Sequence, residues 1–486
     1  MTSKNSVRKA ISRRDALSTI GKSVLVAAGV VVVGGVAYYL GSSTPTQPGT
    51  TATVTATTAL TSTVGSPSVE EIRIFTQKKP LTNELLKVAA AKAESEIGVK
   101  VSADQLDFTQ MAPQLTAMTA GGNIPYDLVS MAHDQLGPYV PYLRGLDDLV
   151  ETHKADLSLY FDAQVQQMYK RNKATGRFGE GNVIGLPYET APWGICYNEK
   201  TFIDAGLVDS KGNPTPPQTW DKFVEYMKEL TKPPQQYGLV ASLLPWWNPA
   251  WMHVSYVATR GGAVLDKDFR PLVNDSKNVE SVEFWSDALN VHKYMEPAAL
   301  STDDAGLMGI YSSGRAACLF YWLSDSLAAA NSPESSMIVD LSSVAQQPGD
   351  GDLRGKAPGG GWAYEMPTQV KHPDAAFKYA YWITTHEVDA CLQSGAIGLT
   401  RKASYDDPRL QSQHPVFSKH PEITGEIRSI LANNYAEPSF EIQQGPQIWQ
   451  IWLKYFQDAV AGKRKPQAAM DACYKEWDAI LKKYYS

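Results

Sequence analysis

The segment GLPYETAPWGICYNEKTFIDAGL occupies residues 185–207, and PPQTWDKFVEYMKELT follows it at residues 216–231. The second segment predicts a helix over residues 220–230, with Thr219 in position to cap its first turn. The large apolar residues of this helix recur at helical spacing and share one face: Trp220, Phe223, Val224, Met227 and Leu230. A helix with one apolar face buries it against another layer, so this stretch belongs to a folded domain.

Short strand patterns alternate with helical patterns on either side of this stretch. The strand patterns lie near residues 72–74, 99–101 and 126–131, and the helical ones near residues 85–97, 109–119 and 466–484. This alternation predicts an α/β architecture with mostly parallel sheets. Residues 69–486 are too many for one such domain, so we expect two lobes.

The composition excludes several classes of protein. The chain has 486 residues, of which 43% are hydrophobic and 20% charged, so it is neither wholly disordered nor a disulfide-stapled mini-domain. Its net charge is −6, yet six basic side chains and only one acidic side chain lie within residues 1–22. The remainder is therefore more acidic than the total suggests. Such a surface cannot neutralise phosphates broadly, which excludes nucleic acid as a partner.

The N-terminal region predicts a membrane segment. Residues 23–41 read SVLVAAGVVVVGGVAYYLG and carry no charge. At about 1.5 Å per residue they reach roughly 28 Å, close to the hydrocarbon thickness of a bilayer. Because the basic residues precede this span, we expect a cytoplasmic tail over residues 1–22 and an extracellular remainder. The sequence leaves open a retained transmembrane anchor or a signal peptide, and general or twin-arginine export.

Residues 42–68 have a different character. They hold ten threonines, five serines and three prolines, without a charge. This composition cannot bury enough apolar surface to order the chain, so it predicts a mucin-like stalk. Anchor and stalk together place the folded part on the extracellular face of the membrane, an arrangement that resembles archaeal usage.

Familiar catalytic and metal-binding patterns are missing from the sequence. It contains no G-x-S-x-G, no H-E-x-x-H and no P-loop, and Gly359-Gly360-Gly361 lacks the phosphate-loop lysine. The eight histidines show no paired metal spacing, and the doublet Asp303-Asp304 is typical of a solvated helix start. We therefore expect no catalytic residue, no metal and no cofactor. Disulfides and buried free thiols stay equally open for the scattered cysteines Cys196, Cys318, Cys391 and Cys473.

Aromatic residues form 10% of the chain and are its richest signal. Core packing accounts for Trp220, Trp285, Trp382 and Trp477. Others sit beside proline, glycine or one another, where core packing and ligand contact are both open: Tyr188, Trp193, Trp246, Trp247, Trp251, Tyr321, Trp322 and Trp362. Flat rings suit the apolar C–H faces of sugars, while nearby acids and amides can bind the hydroxyls.

Four elements at residues 186–221 carry a family resemblance. They are Leu186-Pro187-Tyr188, Tyr197-Asn198-Glu199-Lys200, Ala205-Gly206-Leu207 and Pro217-x-Thr219-Trp220-Asp221. In this order and spacing they resemble the family 1 extracellular solute-binding proteins of ABC importers, which include maltose-binding and related sugar-binding proteins. Later segments agree in order, so the resemblance spans about residues 70–486.

The resemblance implies a hinged, two-lobed receptor that closes on its ligand. The implied N lobe covers about residues 69–188 and 362–435, and the C lobe about residues 189–361 and 436–486. Ligand bound between the lobes favours the closed form through its differential affinity for that form. The expected partners are a small solute and the permease of an ABC importer, and the receptor is expected to be a monomer.

The same resemblance implies site residues. His133 and Asp134 fall on the loop where sugar-binding members place a hydroxyl-binding acid, and Glu189 follows Tyr188 at the first crossing between lobes. The aromatic positions implied by the family are Tyr197, Trp322, Trp362 and Trp449. Together with the aromatic clusters, the predicted ligand-binding set is His133, Asp134, Tyr188, Glu189, Trp193, Tyr197, Trp246, Trp247, Trp322, Trp362 and Trp449.

We therefore expect a binding protein for a sugar or oligosaccharide that performs no catalysis. A binding protein for another small solute, such as glycerol phosphate or a peptide, is the alternative within the fold. A tethered extracellular carbohydrate-active enzyme is the alternative from another class, and it would need two carboxylates flanking a glycosidic bond. A surface adhesion module would show no compaction on binding ligand.

Overall fold

The computed structural model describes residues 69–433 and 442–485, except for the side chains of residues 166–168. The predicted basic tail, apolar span and stalk at residues 1–68 lie outside the described residues. Among the helices that the structure does describe, none combines the length and apolar character needed to cross a membrane.

Eleven strands are present in the described residues. They are β1 (Glu70–Gln77), β2 (Val99–Leu106), β3 (Leu128–Ala132), β4 (Lys170–Arg171), β5 (Asn182–Val183), β6 (Gly185–Ala191), β7 (Trp193–Asn198), β8 (Tyr237–Val240), β9 (Ala316–Trp322), β10 (Ser342–Ala345) and β11 (Gly360–Glu365). The strands predicted near residues 72, 99 and 126 correspond to β1, β2 and β3, so these three predictions are confirmed.

Two sheets organise the chain. The first has the order β2-β1-β3-β11-β6, and the second has the order β10-β7-β9-β8. Strands β4 and β5 form a separate small hairpin. We call the parts of the molecule built on the two larger sheets the first lobe and the second lobe. An α/β fold with two lobes, as predicted from the sequence, is therefore what the chain adopts.

The expectation of mostly parallel sheets is wrong. In the first lobe β1 runs parallel to β2 and β3, but β11 is antiparallel to both β3 and β6. In the second lobe β7 is antiparallel to β9 and β10, and only β8 pairs with β9 in parallel. The antiparallel pairs of the first lobe arise because the chain leaves this lobe after β6 and re-enters it at β11 from the second lobe. Local strand–helix alternation does not encode that reversal.

Helices cover both sheets. The α-helices are α1 (Pro80–Ile97), α2 (Phe108–Ala120), α3 (Asp147–Thr152), α4 (Glu199–Asp204), α5 (Trp220–Glu229), α6 (Trp247–Thr259), α7 (Ser276–Asn290), α8 (Asp304–Ser312), α9 (Leu323–Ala330), α10 (Pro373–Trp382), α11 (Glu387–Ser394), α12 (Pro408–Gln413), α13 (Pro421–Asn433), α14 (Gly445–Val460) and α15 (Pro466–Tyr485). A π-helical turn covers Ala163–Met168, and 3₁₀ turns cover Gly137–Tyr142, Leu157–Leu159, Pro297–Leu300, Gly351–Leu353, Ile383–His386 and Lys402–Asp406.

The helix predicted at residues 220–230 is confirmed as α5. Thr219 caps it, because its hydroxyl accepts a hydrogen bond from the backbone N–H of Lys222 at 3.3 Å. Trp220 is buried, and its indole N–H donates to Thr259 Oγ1 at 2.9 Å. Burying one such ring contributes roughly 2–3 kcal/mol of transfer free energy, which is far more than the intrinsic helix propensity of a ten-residue segment.

The chain passes directly from one lobe to the other after β6. This strand ends at Ala191, and β7 begins at Trp193 in the second sheet, so Pro192 alone separates them. The chain returns between β10 and β11. The C-terminal helices α14 and α15 then pack against α7 of the second lobe. All four cysteines are buried free thiols, which settles the alternative that the sequence left open.

Candidate functional site

A cavity of about 290 Å³ lies where the two lobes meet. The first lobe contributes Gln77, Lys79, Phe108, Ala132, His133, Asp134, Ala191, Gly361 and Trp362 to its lining. The second lobe contributes Trp246, Trp247, Asn248, Trp251, Asp304, Tyr321, Trp322, Ser324 and Asp325. Most of these residues sit at the ends of strands or the starts of helices, where side chains point away from the sheet into open space.

A wider depression of about 710 Å³ lies on the outer face of the first lobe. It runs between α1 and α11 and is lined mainly by polar and small aliphatic side chains, including Asn83, Glu84 and Gln393. None of its lining residues is aromatic. A shallow, solvent-open surface of this kind buries little of a ligand, so the smaller cavity between the lobes is the stronger candidate.

Indole rings form one wall of the cavity. Trp322, at the end of β9, meets Trp193 and Trp251 edge-on, with ring centroids 4.9 and 5.2 Å away. On the opposite side Trp362 contacts Phe108 edge-on at 5.8 Å. These edge-to-face contacts hold Trp322 and Trp362 in fixed orientations, which is what a stacking platform for a flat ligand face requires.

Gly360 sets the position of Trp322. A Cβ atom added at residue 360 would lie 2.4 Å from Cζ3 and 2.6 Å from Cη2 of Trp322, and 2.8 Å from the carbonyl oxygen of Ala191. Real Cβ atoms do not approach other atoms so closely, so only glycine lets the first lobe meet the indole here. The close approach links β11 of one lobe to β9 of the other.

We expect Gly360→Ala to displace the Trp322 ring and cost about 1–3 kcal/mol of stability through overpacking. The displaced ring would also weaken ligand binding. Thermal unfolding would measure the loss of stability, and tryptophan fluorescence would report the displacement of the ring. Gly309→Ala in α8 is the matched control, since a Cβ there would meet nothing within 4 Å and should be neutral or slightly stabilising. An unchanged fluorescence spectrum and melting temperature for Gly360→Ala would contradict the expectation.

His133 offers the cavity a neutral imidazole. Its ring is buried, and burial together with the nearby Arg171 guanidinium lowers its pKa to about 3. Neither ring nitrogen has a hydrogen-bond partner among the described protein groups. A neutral imidazole has one donor and one acceptor, and a hydroxyl group also donates and accepts. Both nitrogens are enclosed by protein atoms here, so the ring lines the cavity without presenting a free donor or acceptor at its surface, and leaving it unsatisfied costs free energy.

Asp134 lies beside His133 and is also buried. Burial raises the pKa of its carboxyl group to about 7, against the opposing effect of backbone N–H groups from Asp134 and Gln135. An acid that titrates near neutral pH can donate a hydrogen bond when protonated and accept several when ionised. Both predicted residues of this loop therefore line the cavity, and both have shifted pKa values, lowered for His133 and raised for Asp134.

The prediction that the doublet Asp303-Asp304 is a solvated helix start is correct for Asp303 but not for Asp304. Asp303 does cap α8, accepting a hydrogen bond from the N–H of Gly306 at 2.9 Å. Asp304, however, lines the cavity and accepts a hydrogen bond from Asn248 Nδ2 at 2.6 Å. Burial raises the pKa of Asp304 more than the hydrogen bonds from Asn248 and Tyr321 lower it, so the pKa is raised overall. Adjacent residues of a helix start point about 100° apart, so one can face solvent and the other a cleft.

Lys79 is the one basic side chain among the described residues that line the cavity. It forms an ion pair with Glu189 and lies over the Trp362 ring, 5.7 Å from its centroid. Burial lowers the pKa of Lys79, but Glu189 and Asp325 outweigh it and the pKa is raised overall. Lys79 therefore stays charged, and its charge is already matched by protein carboxylates.

Of the eleven predicted ligand residues, the structure places six in the cavity lining: His133, Asp134, Trp246, Trp247, Trp322 and Trp362. Glu189 lies behind the lining as the partner of Lys79. Trp193 is buried behind Trp322, and Tyr188 is buried in the first lobe with its hydroxyl 2.8 Å from Ser130 Oγ.

Tyr197 and Trp449 lie away from the cavity. Tyr197 packs on Phe202 in the second lobe, with centroids 5.0 Å apart. Trp449 is fully buried in the helical layer, 5.3 Å from Trp452 and 5.5 Å from Trp477. Core packing accounts for both positions, because apolar burial alone explains a large ring at 0–6% exposure.

Several lining residues were not predicted. Lys79, Gln77 and Phe108 carry no local pattern that separates them from ordinary surface positions at the ends of strand or helix. Trp251 stands out among the aromatic clusters without being assigned to the ligand set, and its spacing of four residues from Trp247 puts both on one helix face. Asn248 directly follows Trp247 and carries no signal of its own. Asp325 lies three residues after Trp322, in the first turn of α9, and could have been found only with the start of that helix known.

Comparison with known proteins places this fold and cleft in a family. Residues 78–390 match the family described as bacterial extracellular solute-binding protein. The chain belongs to this family. The solute-binding protein is also similar to a solved ABC transporter solute-binding protein from Agrobacterium radiobacter K84 in complex with ribitol. That likeness has a TM-score of 0.69 and 23% identity, and covers 85% of this chain and 99% of the other.

Two curated relatives also align with this solute-binding protein. One is a probable amino-acid ABC transporter periplasmic-binding protein of Sinorhizobium fredii, 23% identical over 65% of this chain and 70% of the relative. The other is the sn-glycerol-3-phosphate-binding periplasmic protein UgpB of Agrobacterium fabrum, 22% identical over 62% of this chain and 68% of the relative. Family membership confirms the resemblance found in the sequence, and these relatives bind different classes of solute by name.

Proposed function

We propose that this solute-binding protein captures a neutral sugar or polyol between its lobes and delivers it to the permease of an ABC importer. The observation that carries the proposal is the cavity lining, in which indole rings from both lobes meet a neutral imidazole and buried carboxyl groups. Rings suit the apolar faces of a sugar, and the polar groups suit its hydroxyls. No step of bond cleavage is part of the proposal.

The charge of the lining favours an uncharged ligand. Asp134, Asp304 and Asp325 line the cavity, and Lys79 is already paired with Glu189. A phosphate or a free carboxylate would lack an unpaired cation among these residues and would meet acids instead, at a cost in desolvation. The lining therefore differs from what a glycerol phosphate or amino acid needs, and ribitol, the ligand in the similar solved structure, is uncharged.

The cavity volume narrows the ligand further. About 290 Å³ is at the lower end of the roughly 300–1,000 Å³ typical of small-molecule pockets. A monosaccharide, a pentitol or hexitol, or a disaccharide is closer to this volume than a long oligosaccharide. Because both lobes line the cavity, the ligand favours the closed arrangement, and a shift from 1:99 to 99:1 requires about 5.5 kcal/mol of differential affinity.

The proposal extends to where the protein works. Residues 1–22, 23–41 and 42–68 supply a basic tail, an apolar span and a threonine-rich stalk, which would tether a monomeric receptor at the extracellular face of the membrane. The lobes would divide at the crossing between β6 and β7 and at the return to β11, a few residues from the boundaries expected from the sequence.

Calorimetry on the purified full chain would test the proposal. We expect one uncharged sugar or polyol from a panel that includes ribitol, mannitol, glucose and maltose to bind with micromolar affinity or tighter, about −8 kcal/mol. Small-angle scattering should show compaction with the same ligand, and NMR should show the ligand unchanged after long incubation. Tight binding of glycerol phosphate or an amino acid instead would overturn the ligand class. Hydrolysis of maltose would overturn the absence of catalysis.

A further inference from the structure

A second cluster of ligating side chains lies outside the ligand cavity. Glu199 begins α4 directly after β7, His420 precedes α13, and Glu422 lies in the first turn of α13. The His420 Nδ1 atom is 3.4 Å from Glu422 Oε1 and 4.0 Å from Glu199 Oε2. One ligating atom from each residue lies within 4.8 Å of the other two. None of the three residues lines the cavity described above.

The orientation of the His420 ring is fixed from the other side. Its Nε2 atom lies 3.1 Å from the carbonyl oxygen of Asp340. A carbonyl can only accept, so Nε2 carries the hydrogen and donates it. In the neutral ring Nδ1 is then a bare acceptor, and it faces two carboxylates. His420 is only 8% exposed, whereas the Glu422 side chain is 60% exposed, so the imidazole is held by the protein while one side of the cluster is open to solvent.

Three acceptors that face one another repel unless a positive charge lies among them. A divalent cation bound among the three groups would relieve this repulsion. A histidine whose second nitrogen donates to a backbone carbonyl is also the usual arrangement at metal sites, because the outer hydrogen bond fixes the tautomer and orients the ring.

We propose that Glu199, His420 and Glu422 bind a Zn²⁺-class divalent cation. Zinc bonds to imidazole nitrogen and carboxylate oxygen are about 2.0–2.2 Å long, so neighbouring ligands of a tetrahedral ion lie about 3.4 Å apart. The separations of 3.4 and 4.0 Å need only small side-chain rotations to reach this geometry. One nitrogen with two oxygens suits Zn²⁺ better than Ca²⁺, which prefers six to eight oxygen ligands. A water molecule would complete the site.

The cation would join two parts of the chain that are 221 residues apart in the sequence, as Glu199 and His420 are separated by that number. Glu199 belongs to the second lobe, and α13 contacts both β10 of that lobe and the turn at Lys402–Asp406. The site would therefore fasten the start of α13 to the second sheet. The bound cation would raise the stability of the protein and fix the position of α13, independently of which solute occupies the cavity.

Zinc titration of the untagged full chain, freed of metal with a chelator, tests this proposal. We expect calorimetry to show one Zn²⁺ per chain and a higher melting temperature with ZnCl₂, while CaCl₂ has no effect. Glu422→Gln changes a side chain that is 60% exposed, so the fold should be kept while zinc affinity falls at least about tenfold. His420→Gln should remove the stoichiometric binding.

Glu225→Gln is the matched control, because Glu225 is an exposed carboxylate on α5 paired only with Lys222 in the described contacts. Its zinc affinity should equal that of the unaltered protein. Absence of stoichiometric zinc binding would overturn the proposal, as would equal zinc affinity in Glu422→Gln and the control. Neither result depends on sugar binding, so failure here is distinguishable from failure of the proposed function.

Discussion

Replacing Asp134 with asparagine should stabilise the ligand-free protein by about 2–4 kcal/mol at pH 8 and change it little at pH 4. The folded protein holds the pKa of this carboxyl group at about 7, whereas its ordinary value is 3.8. A difference of about three pKa units corresponds to roughly 4 kcal/mol. Asparagine has a similar shape and no charge to desolvate, so it avoids this cost.

The direction of the pH dependence follows from proton binding. Between about pH 4 and pH 7 the folded protein keeps a proton on Asp134 that the unfolded chain has lost, so the free energy of unfolding falls as the pH rises through this window. Thermal unfolding of Asp134→Asn and the unaltered protein at pH 4, 6 and 8 would measure it. The gain in melting temperature should grow with pH.

Asp148→Asn is the control for this prediction. Asp148 is exposed and pairs with Arg144, whose hydrogen bond lowers the pKa of the carboxyl group. Its replacement should be neutral or slightly destabilising at pH 8. If Asp134→Asn gave the same change at every pH, or lowered the melting temperature at pH 8, burial of an ionisable carboxyl would not be the controlling effect. A loss of sugar affinity in the stabilised variant would indicate that the protein keeps Asp134 for binding.

Replacing Trp322 with alanine should weaken binding of the sugar or polyol by about 1–3 kcal/mol, which is roughly 5- to 150-fold in Kd. Trp322 is a half-buried lining residue held edge-on by Trp193 and Trp251, so it is positioned before ligand arrives. Its removal takes away a stacking face and widens the cavity. Calorimetry with the ligand that binds the unaltered protein most tightly would measure the change.

Trp449→Phe is the comparison that separates stacking from general loss of packing. Trp449 is buried in the helical layer and does not line the cavity, so phenylalanine there should lower the melting temperature and leave affinity unchanged. Equal losses of affinity in both variants would mean that Trp322 acts through stability. Unchanged affinity in Trp322→Ala would remove this ring from the ligand site.

The parts of the fold that depend on local pattern could be predicted from the sequence. Helix α5 is specified by its cap and its apolar face, and β1 to β3 by short alternating runs. The antiparallel placement of β11 could not be predicted this way, because it depends on pairing with β3 and β6 from distant parts of the chain. The direction of β11 depends on how the chain comes back to the first sheet from the second lobe. A short window of sequence does not contain that information.

The candidate site, too, could be predicted only in part from the sequence. Tryptophans beside proline, glycine or other aromatic residues stood out, and five of them line the cavity: Trp246, Trp247, Trp251, Trp322 and Trp362. Lys79 and Asp304 did not stand out, because a lysine before a helix and an acidic doublet are common on surfaces. Their roles come from burial and from partners far along the chain, Glu189 for one and Asn248 for the other. The Glu199, His420 and Glu422 cluster was hidden for the same reason.

The place of β11 in the first sheet has a consequence for biosynthesis. Trp362 pairs with Ala132 on one side and with Glu189 on the other, so β3 and β6 lie on opposite flanks of a strand that is made much later. Until residues 193–359 have been synthesised, β11 is absent and the facing edges of β3 and β6 lack their hydrogen-bonding partner. Completion of the first sheet therefore waits for β11, and we expect a fragment that ends before residue 360 to lack a stable first sheet.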